Sequence, residues 1–115
     1  MNLNKIFIAG NLTGEPELRY AGKTSVCTFS IASNRTYTTV NGDQKEDTCF
    51  VGVTVFGKQA ESCAQYLTKG RGVLIEGRLS YQTWIGDDGA KRSKHEITAE
   101  HVTFLGGSNG GNADA

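Results

Sequence analysis

The chain predicts an all-β fold, a small barrel carrying one helix. Fifteen residues are glycine, and threonine and valine recur throughout, a composition of strands joined by tight turns. Apolar residues mostly alternate with polar ones at the strand period of two. Only over 57–70 does that period lengthen to the helical one.

The elements follow in order. "KIFIAG" (5–10) is a short strand with Ile6 and Ile8 on one face and Phe7 and Ala9 on the other. A strand apolar on both sides in so small a chain predicts a second subunit over one of them. "NLTGEPELRYAGKT" (11–24) reads as a turn-rich connection around the single proline, Pro16. "SVCTFSIASNRTYTTV" (25–40) is a long strand whose core face carries Cys27, Phe29 and Ile31. "NGD" (41–43) signals a hairpin, since Asn-Gly readily takes the positive φ angles of a type I′ turn. "QKEDTCFVGVTVF" (44–56) returns, with Val51, Val53 and Val55 as its core stripe.

In "GKQAESCAQYLTKG" (57–70), Ala60, Cys63, Ala64 and Leu67 stand at i, i+3, i+4, i+7. That is one amphipathic helix, with Lys69 in its last turn and Gly70 as its stop. "GVLIEGRLSYQTW" (72–84) is a strand with Val73, Ile75 and Leu79 inward, and "GDDG" (86–89) is a second hairpin turn. "KRSKHEITAEHVTFL" (91–105) closes the set, and its apolar parity shifts between Ala99 and Val102, which predicts a bulge. The Gly/Asn-rich residues 107–115 offer no core side chain and are expected to be a disordered tail after one domain, 1–106. Three strands, one helix, then two strands is the order of the OB-fold, a five-stranded Greek-key barrel whose open face commonly binds oligonucleotides.

At 115 residues the chain is one domain, with a core small enough for oligomerisation to help it. Zero net charge and a pI near 6.7 neither favour nor exclude a polyanion partner. The opening "MNLNKIFIAG" lacks the features of a signal peptide, and no apolar run approaches the ~20 residues that span a membrane. Cys27, Cys49 and Cys63 read as free, buried thiols in a reducing cytoplasm.

The face opposite the valine stripe raises the functional question. It carries Phe50, Gly52, Thr54 and Phe56, two aromatics six residues apart with only small residues between them. The rings are roughly 20 Å apart at ~3.3 Å per residue. Tyr37 and Trp84 sit near the two hairpin turns, and Trp84 points away from Leu79 and Tyr81. Exposed rings are costly unless something covers them. An unpaired base can, because stacking contributes ~1–3 kcal/mol per base and every base has a π-face. Lys5, Arg19, Arg35, Lys58 and Arg92, with Lys23, Arg78, Lys91 and Lys94, are interleaved among the aromatics, as phosphate contacts require.

Each residue also has a plainer reading. The phenylalanines could cover a partner subunit, Tyr37 is an ordinary strand residue, and single lysines usually mark a solvated face. The coincidence of all of them on one barrel favours nucleic acid. Catalytic chemistry finds no support. His95 and His101 lack metal-ligand spacing with the cysteines, "GDDG" is a turn, and no phosphate-cradling glycine loop is present. No cofactor or metal is expected.

"NKIFIAGNLTGEPELRY", "FGKQAE", "YLTKG", "VLIEGRL" and Trp84 together resemble the bacterial-type single-stranded DNA-binding proteins, over about 4–106. The resemblance implies an OB-fold homotetramer, cytoplasmic and nucleoid-associated, that wraps single-stranded DNA without sequence preference in replication, recombination and repair. It assigns base stacking to Trp84 and Phe56, and to Phe50 and Tyr37 where relatives often carry tryptophan. It places Lys5, Arg19, Lys58, Lys69 and Arg92 at basic positions along the DNA path. Val51 and Gly52 replace polar or basic residues of the family, and "RLSYQTW" carries only Arg78, so a shallower salt dependence is expected. Family members usually end in an acidic tip that recruits replication and repair enzymes. "GGNADA", with Asp114 as its only charge, leaves such docking unsupported. Two rival readings share the fold: a primosome or recombination accessory acting mainly through protein contacts, and an RNA-binding OB-fold.

Overall fold

The computed structural model describes residues 1–106. The expected tail, 107–115, lies outside them. Six strands and one helix follow in order: β1 (Ile6–Leu12), β2 (Glu17–Ala21), β3 (Thr24–Thr38), β4 (Gln44–Phe56), α1 (Lys58–Tyr66), β5 (Gly72–Ile85) and β6 (Lys91–Phe104).

The sheet runs β1-β5-β6-β4-β3-β2, and an added β1–β3 pairing closes five of these strands into the OB barrel. β4 and β6 pair in parallel and the other neighbours antiparallel. For closure, β1 pairs with β5 from Ile6 to Asn11 and with β3 at Asn11 and Leu12. Gly10 sits at that switch, where a Cβ would stand 2.5 Å from the Ala32 carbonyl oxygen, so only glycine lets the backbones approach. A second close approach, Gly77 against Thr98, accompanies the β5–β6 register shift. His101 pairs with Glu76 and Ala99 with Gly77, leaving Glu100 unpaired. This is the bulge expected between Ala99 and Val102.

The core stripes hold. Cys27, Phe29, Ile31, Val53, Val55, Val73, Ile75 and Ile97 fill the barrel, and Ala60, Cys63 and Leu67 of the helix region pack into it. Truncating any of the larger ones to alanine is a 2–5 kcal/mol loss on the usual scale.

Several expectations need correction. Residues 11–24 are not merely a connection, because β2 forms a hairpin with β3 around Gly22 at φ 65°. The helix ends at Tyr66, since Leu67 is already extended. Lys69 therefore lies beyond the last turn, and its backbone N–H meets Glu15 Oε2 at 3.3 Å. Gly70, at φ 92°, instead turns the chain so that its N–H reaches the Leu12 carbonyl. Leu79 is 42% exposed rather than closed in, because β5 has lost its β1 neighbour after Gly77, although Ile97 opposite it is still buried against β4. Cys49 is exposed on the β3–β4 ribbon; Cys27 and Cys63 are buried thiols as expected.

The 41–43 turn is not type I′ either. Asn41 keeps a negative φ and only Gly42, at 89°, is left-handed. The Gly42 N–H bonds the Thr39 carbonyl, and the Thr39 N–H bonds the Asp43 carbonyl. The second hairpin repeats this: Gly89 (φ 81°) bonds Gly86, and Gly86 bonds Ala90. Both are three-residue loops with the glycine as a G1 bulge, which adds twist to the ribbon behind it.

Candidate nucleic-acid interface

A groove of about 580 Å³ runs across the open barrel face. β4 supplies its wall through the alternation that buries Val53 and Val55 and turns Gly52, Thr54 and Phe56 the other way. Phe56 lines the groove and is 49% exposed; Phe50, at 70%, continues the same strand face beyond it. With Gly52 and Thr54 between them, no side chain taller than a threonine separates the two rings along the strand.

β5 contributes the opposite side. Trp84 shares a strand face with Gln82, which lines the groove, so the indole extends that surface along the second ribbon. It pairs across the ribbon with Arg92 and is 43% exposed. The Lys94 ammonium stands over its ring at 5.8 Å. Arg92 is tied to Asp88 at 2.9 Å, within the turn.

Tyr37 stands apart. The alternation of β3 puts it on the face of Arg35, not on the face of Ala32, whose partner is Phe50. The Arg35 guanidinium lies 4.9 Å from the Tyr37 ring and also pairs with Asp47 at 3.1 Å. The structure thus gathers Phe50, Phe56 and Trp84 along one surface and leaves Tyr37 on the other face of the β3–β4 ribbon.

The predicted cations are just as unevenly placed. Arg19, on β2, lines the groove. Lys58 opens α1 and is exposed just past Phe56. Lys69 is exposed in the turn after the helix. Lys5 is held between Glu100 of β6 at 2.8 Å and Glu76 of β5 at 2.9 Å. Hydrogen bonds to these carboxylates, Glu100 first, raise its pKa above the ordinary lysine value, and Lys5 in turn lowers that of Glu100.

Sequence reasoning missed the groove's polar floor. Glu96, only 7% exposed, accepts hydrogen bonds at Oε1 from Gln82 Nε2 (2.7 Å) and Thr54 Oγ1 (3.0 Å). Its Oε2 faces Lys94 Nζ at 3.3 Å. The sequence placed "KHEIT" in the last strand, and nothing in its alternation singled out Glu96. Only the parallel β4 beside it covers that position, and a local pattern does not register such a pairing.

Comparison with known proteins follows from this geometry. The profile of the Single-strand binding protein family matches residues 3–105. The "Single-stranded DNA-binding protein" of Helicobacter hepaticus is 50% identical over 103 residues, covering 89% of this chain and 61% of that protein. Its namesake from Wolinella succinogenes is 46% identical over 112 residues, covering 94% of this chain and 69% of that one. The chain thus spans under two thirds of the length of the first of these relatives. Among solved structures, the Plasmodium falciparum SSB complex with ssDNA superposes with a TM-score of 0.83 at 27% identity, covering 92% of this chain and 97% of that one. The chain belongs to the Single-strand binding protein family.

Proposed function

We propose that this chain is a non-catalytic, sequence-independent single-stranded DNA-binding protein that coats and protects unwound DNA in replication, recombination and repair. The observation that carries this reading is one surface on which Phe50, Phe56 and Trp84 stand exposed around a groove floored by small and polar side chains. Rings so placed stack on bases that have no partner strand, and duplex DNA offers no free base faces to them. In this reading Trp84, Phe56 and Phe50 stack bases, and Tyr37 receives a base only where the strand crosses to the other face of its ribbon. Arg19, Lys58, Lys69, Arg35 and Arg92 meet phosphates. Lys5 contributes least, being already matched by two carboxylates.

The proposal includes a homotetramer in the cytoplasm, associated with the nucleoid. Support for assembly comes from the outer face of β1 and β5, where Phe7 is 63% exposed and Leu74 is also open. No helix among the described residues is long and apolar enough to cross a membrane.

Quenching of Trp84 fluorescence tests the reading. Oligo-dT is expected to bind tighter than a duplex of equal length by orders of magnitude, and matched RNA to fall between. Equal affinity for duplex and oligo-dT would overturn it. A preference for RNA over oligo-dT would favour the RNA-binding alternative.

A further inference from the structure

We propose that Tyr81 is a further base-stacking residue, on the face of the β5–β6 ribbon opposite Trp84, so that a bound single strand passes over both faces of that ribbon. This extends the DNA-binding reading and rests on it. The two rings are three residues apart on β5, and alternation puts them on opposite faces. Tyr81 is 60% exposed, more than Trp84. Its cross-strand partner is His95, whose ring lies 4.9 Å away, centroid to centroid, at 45°. Leu79 and Ile85, both exposed, flank it on the same face. Such a face is costly unless something covers it.

Continuity with Tyr37 points to the DNA strand as the cover. β4 and β6 run in parallel with Val53 beside Ile97, both buried, so the core-side faces of these strands form one side of one sheet. The two hairpin turns lie beyond the same end of it, because each turn precedes one of these parallel strands. Tyr81 continues the core-side alternation of Val73 and Ile75, and Tyr37 that of Phe29 and Ile31. Both tyrosines therefore stand on one side, away from Phe50, Phe56 and Trp84. Beyond Leu79, whose backbone N–H and carbonyl bond the Asn4 side chain at 2.9 and 2.8 Å, β5 has no strand on its outer edge among the described residues. A strand leaving Trp84 can round that open edge to Tyr81.

Charge favours a polyanion on this side. Lys45 lies across from Tyr37, Arg35 across from Asp47, and Lys91 across from Ile85. Asp47 is the one carboxylate set among these cations, and it is bound to Arg35 at 3.1 Å. Lys45 and Lys91 make no ion pair among the described residues, whereas Arg92 and Lys94 on the Trp84 face are tied to Asp88 and Glu96. Asp43, Asp87 and Asp88 are confined to the turns. Stacking on Tyr81 works for every base, so it leaves binding independent of sequence, and the phenolic hydroxyl can stay in water.

The test irradiates the native chain bound to oligo-dT carrying 5-iodouracil and maps the adducts by peptide mass. Adducts are expected on Tyr81 or His95 as well as on Trp84. By anisotropy of a labelled oligo-dT, Tyr81→Ala should bind at least about fivefold more weakly, the lower end of one base stack, and Tyr81→Phe close to native. The Trp84 adduct should persist in Tyr81→Ala, which separates a lost stack from a collapsed ribbon. Should Tyr81→Ala not fold, the adducts of the native chain decide alone. Native adducts on Trp84 without Tyr81 or His95, or unchanged affinity in Tyr81→Ala, overturn the inference and leave the DNA-binding function standing. A change of oligomeric mass in Tyr81→Ala, with neither Tyr81 nor His95 labelled in the native chain, also overturns it, because protein then covers this face. If the native chain does not bind oligo-dT, the function falls and this inference with it.

Discussion

Lys94 holds its ammonium 5.8 Å from the centre of the Trp84 ring on the neighbouring strand. Such a contact at an exposed site contributes about 0.5–1 kcal/mol. It steadies the indole on a ribbon that has no core beneath it. A base stacking on the tryptophan therefore finds the ring partly ordered beforehand. Trp84→Ala is expected to weaken oligo-dT binding by about 1–3 kcal/mol, and Trp84→Phe to recover most of that. Anisotropy of a labelled oligonucleotide is the measurement, since this is the sole tryptophan. An unchanged dissociation constant in Trp84→Ala would remove the indole from the interface. The thermal midpoint should hardly move, because the ring is outside the barrel.

Arg19 and Lys5 separate two kinds of cation. Arg19 lines the groove and makes no ion pair among the described residues, while Lys5 already faces Glu76 and Glu100. Removing one phosphate contact on a single strand lowers the slope of log affinity against log salt by about 0.7. Arg19→Ala should show that drop and Lys5→Ala a smaller one. Equal drops would mean that DNA displaces both carboxylates from Lys5.

Lys5 also sets a pH dependence. Its pKa is raised in the fold and that of Glu100 is lowered, each mainly by the hydrogen bond between them. The stability carried by the lowered glutamate is present above its unfolded pKa and is lost as pH falls through the folded value. That carried by the raised lysine is present below its unfolded pKa and is lost as pH rises through the folded value. Both groups are solvent-exposed, so the effect is small and falls away in salt. Glu100→Gln should flatten the acid limb of a urea-unfolding series below about pH 4.5, the ordinary carboxylate range. An acid limb of unchanged steepness would show that the pair adds nothing.

The cysteines offer a check on the core. Burial pushes the Cys63 thiol up to about 12, with a smaller contribution from Cys27, and burial raises Cys27 as well. A thiol reagent near pH 8 is expected to modify Cys49 quickly and the two buried thiols only on unfolding. The unfolded chain loses thiol protons that the folded one keeps, so stability should fall as pH rises from about 9 towards 12. Fast modification of all three in the native chain would contradict this packing.

Gly77 tests the barrel's geometry. A Cβ there would lie 2.2 Å from the Thr98 carbonyl oxygen and 3.0 Å from Ala99 Cα, both backbone atoms. Gly77→Ala should destabilise by about 3 kcal/mol in urea unfolding, the upper range for overpacking. Gly52→Ala, with only ordinary contacts, should be close to neutral. Comparable stability of the two would show that β5 and β6 can separate at the bulge.

The amino-acid order alone determined the five barrel strands, though not β2, together with the helix between the third and fourth of them, the valine stripe and the bulge near Glu100. Each is written in a local alternation of apolar and polar side chains, and Trp84 and Phe56 could be singled out because they break it. Three things were settled only in the folded chain. The β3–β4 ribbon leaves the barrel and β5 loses its β1 neighbour after Gly77, which exposes Cys49 and Leu79 at positions whose sequence setting suggested burial. The twist and alternation of β3 separate Tyr37 from Phe50. The parallel alignment of β4 with β6 buries Glu96 under Gly52. All three depend on which strand lies beside which, at separations of tens of residues. Periodicity reports the two faces of a strand but not its neighbours, and those neighbours decide whether a polar face meets water or becomes the floor of a groove.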